Sequence, residues 1–296
     1  MQIPAEVTQK HVQIALEEDL AERGDLTSEA VVPADRDASA EIFAKAEGVL
    51  CGMQLAVETF KQVDRSIVIE PRMKDGDPLH PKSPVLAVRG PARSLLAAER
   101  TALNFLQQLS GVATLTAQFV DEVRGTGAVI LETRKTVPGL RFLQKYAVRV
   151  GGGENHRFGL FDRILLKENH FALSEFGSEP EGYRKAVERA VAFGGSFGPV
   201  CVECRDLAEA KAAIAGGADV LLLDNFAVET LHETVLTLRE HCRREKRDVL
   251  FEASGGITLE TAALYASAGV DRLSVGALTH SAPAIDLSML TTGIFE

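Results

Sequence analysis

Short apolar runs that end in charge or glycine, separated by helix-length stretches, constrain this chain more than any other feature. After Gly127 it reads VILETRK, RILLKEN, PVCVEC, VLLLDN, FEASGG and DRLSVG in turn. The pattern predicts strands at 128–131, 147–150, 164–166, 200–203, 220–223, 249–252 and 272–275, with helices filling 181–193, 206–215, 228–241 and 258–267. Such alternation means parallel strands covered by helices. Charged or glycine-rich ends on nearly every strand favour an α/β barrel, whose active residues come from the C-terminal ends of many strands. About seven strands leave the barrel incomplete, one short of eight. An open doubly wound sheet is the structural alternative.

The first third has a different rhythm. Residues 3–20 read as a surface helix that ends near Gly24. Alternation predicts strands at 39–50, 65–70 and 85–89, the last after a Pro/Gly-rich stretch from Pro71 to Pro84. A long helical pattern then runs over 94–123, with Leu95, Leu96, Ala102, Leu103, Leu106 and Leu109 on its apolar face and Gly111 as a candidate break. The whole reads as a small α+β unit followed by the barrel.

The formal net charge of -10 argues against nonspecific nucleic-acid binding, which needs basic surface. No run approaches the length of apolar sequence that spans a bilayer, and the start lacks a basic-then-apolar signal pattern. Four cysteines, Cys51, Cys201, Cys204 and Cys242, suit a reducing compartment, so a cytoplasmic location is expected. Cys201 and Cys204 form a CxxC. In an alternating strand their sulfurs point to opposite faces, and no second pair completes a zinc set.

Against this acidic background, Arg134, Lys135, His156, Arg157 and Lys167 cluster after successive apolar or small-residue runs. Arginine offers a rigid fork for carboxylate or phosphate, and lysine a point charge. The turn with Pro138 and Gly139 fixes the Arg134-Lys135 segment rather than leaving a solvated pair. Lys167 ends the run ILL at a strand mouth, where burial among cations would depress its pKa. His156 has a structural hydrogen-bonding role as its alternative, and His170 is either supporting or structural.

Carboxylates take the same strand-end position further on. Glu203 and Asp224 end consecutive strands, where they suit Mg²⁺, ribose hydroxyls or internal ion pairs with Lys135 or Lys167. Ser254-Gly255-Gly256 and Gly276 follow the last two strands. Glycine admits close backbone approach, and the end of a barrel is a common phosphate site. Tight βα turns are the simpler reading of those glycines taken singly. Asp25, in GDLT, fits a helix N-cap beside any functional role.

At this point the constellation resembles the quinolinate phosphoribosyltransferase (decarboxylating) family, also called carboxylating nicotinate-nucleotide pyrophosphorylases. The ordered segments ERTALNFLQQLSGVAT, ETRKTVPGLR, KYAVRVGGGENHRFGLFD, LLKENH, VLLLDNF, FEASGGI and LSVGALTHSAPAIDLS carry the resemblance across nearly the whole chain. It implies an N-terminal α+β sandwich domain over 1–112, a barrel domain over 113–280 carrying the active site, and a tail, 281–296, that packs back on the first domain. It implies a homodimer, or an assembly of dimers, with shared active sites. The substrates would be quinolinate and phosphoribosyl pyrophosphate, with Mg²⁺ as cofactor, on the route to NAD.

By the same resemblance, Arg134, His156 and Arg157 hold quinolinate, with Arg100 arriving from the neighbouring subunit. Lys135, Lys167, Glu203 and Asp224 form the expected catalytic set. Glu203 and Asp224 meet the metal largely through substrate or water. Ser254, Gly255, Gly256 and Gly276 receive the 5′-phosphate. One departure stands out: where the family strand often reads EVE, this one reads CVE, with Cys201 in the first acidic place.

Overall fold

The structure is a computed structural model that describes residues 2–194 and 197–295. In chain order it begins with helices α1 (Ala5–Leu20) and α2 (Leu26–Val31), strands β1 (Asp37–Ala44) and β2 (Gly48–Val49), and helix α3 (Met53–Val63). Strands β3 (Val68–Pro71), β4 (Pro78–Leu79) and β5 (Pro84–Pro91) lead to the long helix α4 (Ala92–Glu122). Then come β6 (Val129–Leu131), α5 (Arg141–Val150), β7 (Leu165–Leu166), α6 (Glu168–Leu173), α7 (Pro180–Gly194), β8 (Cys201–Cys204) and α8 (Leu207–Gly216). The chain continues through β9 (Val220–Asp224), α9 (Val228–Glu245), β10 (Leu250–Ser254), α10 (Leu259–Ser267), β11 (Arg272–Ser274) and α11 (Ala277–His280) to β12 (Leu287–Phe295).

Two compact units result. One comprises the chain up to Ala117 with Phe142–Gly152 and the segment from Ser281 on; the other is Gln118–Arg141 with Gly153–His280. Residues 142–152, inside the span that sequence assigns to the barrel, thus lie in the first unit. That unit holds an antiparallel sheet of order β12-β1-β5-β3. Alternate residues of β1, Ala38, Ala40, Ile42 and Ala44, are buried and join Phe60 of α3 and Leu95, Leu103 and Leu106 of α4 in one core. Period-2 burial on the strand meets helical periodicity on α3 and α4, which is what gives each a single apolar face. The last strand pairs along β1 from Asp37↔Phe295 to Ala44↔Leu287.

The second unit is a parallel six-stranded sheet, β6-β11-β10-β9-β8-β7, interleaved with helices as an incomplete α/β barrel. Its central strand β9 is buried along VLLL, the continuous apolar run of a strand covered on both faces. Six strands replace the seven expected, because 147–150 is the last turn of α5 rather than a strand. Four residues are too few to separate a period of 2 from 3.6. Over the whole of RFLQKYAVRV the period is helical, with polar residues at Arg141, Gln144, Lys145 and Arg149, but AVRV alone shows too little of that stripe to be told from a strand. Glu154 then makes an isolated parallel bridge to Leu131, which places the next residues beside the mouth of β6.

Candidate active site

Because all six strands run in one direction, their C-terminal ends share one rim. A cavity of about 790 Å³ opens there. Arg134, Lys135, His156, Arg157, Lys167, Glu203, Asp224, Ser254, Gly255, Gly256 and Gly276 all line it. Arg100 does not; it is exposed on α4 in the first unit.

The cations are held in distinct ways. Lys135 is fixed through its backbone, whose N–H donates to Thr133 Oγ1 at 3.1 Å and whose carbonyl accepts from Thr279 Oγ1 at 2.8 Å. Arg157 is 7 % exposed and donates from one terminal nitrogen to the Arg163 carbonyl at 3.1 Å. Burial, with the Arg134 guanidinium nearby, holds its pKa below the ordinary arginine value. Nε of Arg134 and Nε of Arg157 are both buried with no hydrogen-bond partner among the described residues. Two neighbouring guanidinium groups, each with a buried and unused Nε donor, are a site for an anion with more than one charged arm.

His156 enters differently. Its Nδ1 accepts the Arg157 backbone N–H at 2.7 Å, so that nitrogen carries no hydrogen, and Nε2 lies 3.5 Å from Glu252 Oε1. With Nδ1 accepting, Nε2 is the nitrogen the ring presents to Glu252. Lys167 is about half exposed and reaches Glu203 Oε2 at 2.7 Å, so the internal ion pair is formed and burial among cations is not its setting. His170 is structural: its Nδ1 accepts the Lys167 backbone N–H at 2.9 Å and caps α6.

On the acidic side, Asp224 Oδ2 accepts from Asn225 Nδ2 at 2.7 Å. Asn225 has a left-handed backbone with φ of 57°, and its N–H donates to the Ser254 carbonyl at 2.8 Å. Gly255 has φ of 98°, and a Cβ there would lie 2.1 Å from Asn225 Oδ1. Glycine is therefore required twice over, by backbone conformation and by the asparagine that holds Asp224. Cys201 is 2 % exposed in an apolar cluster with Leu165, Val220 and Leu222, and Cys204 is fully buried. Burial pushes both thiols well up, and no metal-binding cluster occurs among the described residues.

Sequence reasoning missed Glu132, Glu252, Ser274, Asn225 and His280. Glu252, Ser274, Asn225 and His280 line the cavity. Glu132 is completely buried and accepts the His156 backbone N–H at 3.1 Å. The available signal was an acid inside or directly after an apolar strand run, the glutamates of FEAS and VILE, since a carboxylate is not buried there without partners.

Residues 25–110 match the family model for the N-terminal domain of quinolinate phosphoribosyl transferase, and residues 112–290 match that for its C-terminal domain. The carboxylating nicotinate-nucleotide pyrophosphorylase of Mycobacterium leprae is 44% identical over 283 residues, covering 94% of this chain and 95% of that one. A probable enzyme of the same name from Bacillus subtilis is 41% identical over 269 residues, 91% of this chain and 88% of its own. The solved nicotinate-nucleotide pyrophosphorylase of Francisella tularensis superposes with a TM-score of 0.88 at 37% identity over 98% of both chains. With both domain models matched in order and the charged strand ends gathered on one rim, the chain belongs to the quinolinate phosphoribosyltransferase family.

Proposed function

We infer that this chain transfers the phosphoribosyl group of phosphoribosyl pyrophosphate to quinolinate with decarboxylation, giving nicotinate mononucleotide, CO₂ and pyrophosphate for NAD biosynthesis. One observation carries the reading: a single cavity brings Arg134, Lys135, Arg157 and Lys167 together with the glycine turns after β10 and β11. Buried, unpartnered Nε groups on two arginines suit a dicarboxylate. Gly255, Gly256 and Gly276 leave backbone open to a phosphate.

The ring nitrogen of quinolinate attacks C1 of the ribose as pyrophosphate departs. Positive charge develops on the sugar, where Asp224 and Glu203 are placed to stabilise it, while Lys135 and Lys167 neutralise the leaving group. The new pyridinium nitrogen draws electrons from the bond to the adjacent carboxylate, so decarboxylation needs no imine. The donor set fits Mg²⁺ shared with substrate: Glu203 and Asp224 offer oxygens to the cavity, each already holding one protein partner, and no cluster of three ligands forms a cage among the described residues. When bound there, Mg²⁺ would supply charge neutralisation at the diphosphate. Shared sites in a homodimer, with Arg100 completing the neighbour's cavity, belong to the same proposal.

Purified protein given phosphoribosyl pyrophosphate and Mg²⁺ should release CO₂ from quinolinate and leave nicotinate unreacted. Chelator should abolish turnover and added Mg²⁺ restore it, with weak Mg²⁺ binding when phosphoribosyl pyrophosphate is absent. Turnover of nicotinate without CO₂ release from quinolinate would sink the assignment. Tight stoichiometric Mg²⁺ binding to the protein alone would contradict the shared metal.

A further inference from the structure

Beneath the cations the cavity contains a carboxyl group that charge neutralisation and anion binding do not use. Glu252, in the middle of β10, is 1 % exposed yet lines the cavity. Its Oε1 accepts the Ser274 hydroxyl and faces His156 Nε2 at 3.5 Å. The histidine is oriented for this, since its Nδ1 is occupied by the Arg157 backbone N–H. No described residue donates a hydrogen bond to the other oxygen, Oε2. The Ser274 hydroxyl donates to Oε1, the His156 ring lies nearest the same oxygen, and the second oxygen is left to the cavity. A carboxyl held this way can keep Oε1 as the carbonyl that accepts from Ser274 and carry its hydrogen on Oε2.

The surroundings favour the same state. Burial pushes the Glu252 carboxyl up, against the opposing pull of the Ser274 hydroxyl and of Arg272 and Arg163. The other groups facing it are the His156 ring and the Cys201 thiol, while β9 presents Leu222 in register. A second carboxylate anion beside a bound dicarboxylate would repel it, whereas a neutral acid would not.

We propose that Glu252 is the acid that protonates C2 of the pyridinium ring when CO₂ leaves, an assignment that rests on the decarboxylating activity inferred above. The bond from C2 to its carboxylate breaks, CO₂ departs, and the electron pair stays on C2 next to the positively charged ring nitrogen. Glu252 Oε2–H gives its proton to C2 and becomes a carboxylate. Ser274 Oγ–H and His156 Nε2–H stabilise that anion through Oε1, and water reprotonates it after product release. Arginine and paired lysine are weaker acids than a carboxyl group, so the cations that bind the substrate are poor sources for this proton.

Single-turnover experiments with quinolinate labelled in its 2-carboxylate, phosphoribosyl pyrophosphate and Mg²⁺ separate the two chemical stages. In E252Q, the first-turnover release of pyrophosphate should stay within a few-fold of wild type. Nicotinate mononucleotide should form about 100-fold more slowly, the contribution typical of a positioned proton donor, and quinolinate mononucleotide should accumulate. In wild type, product formation from that intermediate should fall as pH rises through the raised Glu252 value, while pyrophosphate release should not follow it. S274A removes a donor to the anion, so it should move that falling limb to higher pH; this arm stands even where E252Q fails to fold. Pyrophosphate and product slowed equally in E252Q, or a limb that S274A leaves in place, would overturn the assignment. A wild-type enzyme that releases no pyrophosphate from these substrates would overturn the activity itself, and is recognised before any variant is made.

Discussion

Asp25 shows how a charged residue in a turn can act on the backbone alone. Its Oδ1 accepts the N–H groups of Thr27 at 3.0 Å and Ser28 at 3.1 Å, and its Oδ2 accepts the Ser28 hydroxyl. This is the N-cap of α2, one of the two roles that GDLT permits. The Ser28 hydroxyl first, then the backbone N–H groups, hold the carboxyl below its usual value. A depressed folded pKa means the contribution is complete above the ordinary carboxylate range and lost as pH falls through the folded value. D25A should therefore cost about 1 kcal/mol at pH 7. Urea melts should show the gap between D25A and wild type closing on acidification; a gap that persists at the acid end would mean the carboxylate is not what stabilises the cap. Most site residues were legible because charge at the end of an apolar run is conspicuous. Glu252 was not, since it lies inside such a run, and Glu132, at the end of VIL, was overshadowed by Arg134 and Lys135; only the fold reveals their partners.

Elements were legible where a long stretch shows one period, as in α9, or an unbroken apolar run, as in β9, and obscure where only the last turn of a helix was read, as at the end of α5. Gly111 illustrates a further limit. Sequence marks it as a break in α4, yet the helix continues unbroken from Ala92 to Glu122. The reason for glycine is packing: a Cβ there would lie 2.1 Å from the Pro283 carbonyl oxygen and 3.1 Å from Ala284 Cα. Gln107 ties the same segment down, accepting the Ile285 N–H at 3.1 Å and donating to the Leu287 carbonyl at 2.8 Å. Two effects oppose each other in G111A. Alanine gains about 1 kcal/mol in helix propensity, while overpacking against backbone costs roughly 1–3 kcal/mol. Because the obstacle is main chain and cannot rotate away, the clash should win. G111A should unfold at lower urea, and the Ile285 amide should exchange faster with solvent. A variant more stable than wild type would mean that the terminal segment shifts without penalty.

At the scale of the whole molecule, two compact units and a cavity formed by one of them leave a residue to be placed. Every cation lining the cavity comes from the second unit, whereas Arg100 is exposed on α4 in the first. The order of motifs was legible along the chain; which subunit's cavity Arg100 serves was not, because periodicity describes one chain and carries no information about a second. In the proposed dimer Arg100 clamps a quinolinate carboxylate in the neighbour's cavity. Loss of an arginine from a charged hydrogen-bonded pair costs about 1.5–3 kcal/mol, so R100A should weaken quinolinate use about tenfold or more. K135A, which alters the cavity of its own chain, should be defective independently. Subunit exchange between the two variants then distinguishes the geometries. If the site is shared, a mixed dimer contains one cavity with both defects and one with neither, and activity should return towards half the wild-type value per mixed dimer. If Arg100 serves its own chain, each cavity keeps one defect and mixing restores nothing. Mass measurement confirms that exchange has occurred; confirmed exchange without recovered activity would place Arg100 in its own subunit's site and remove the shared-site model.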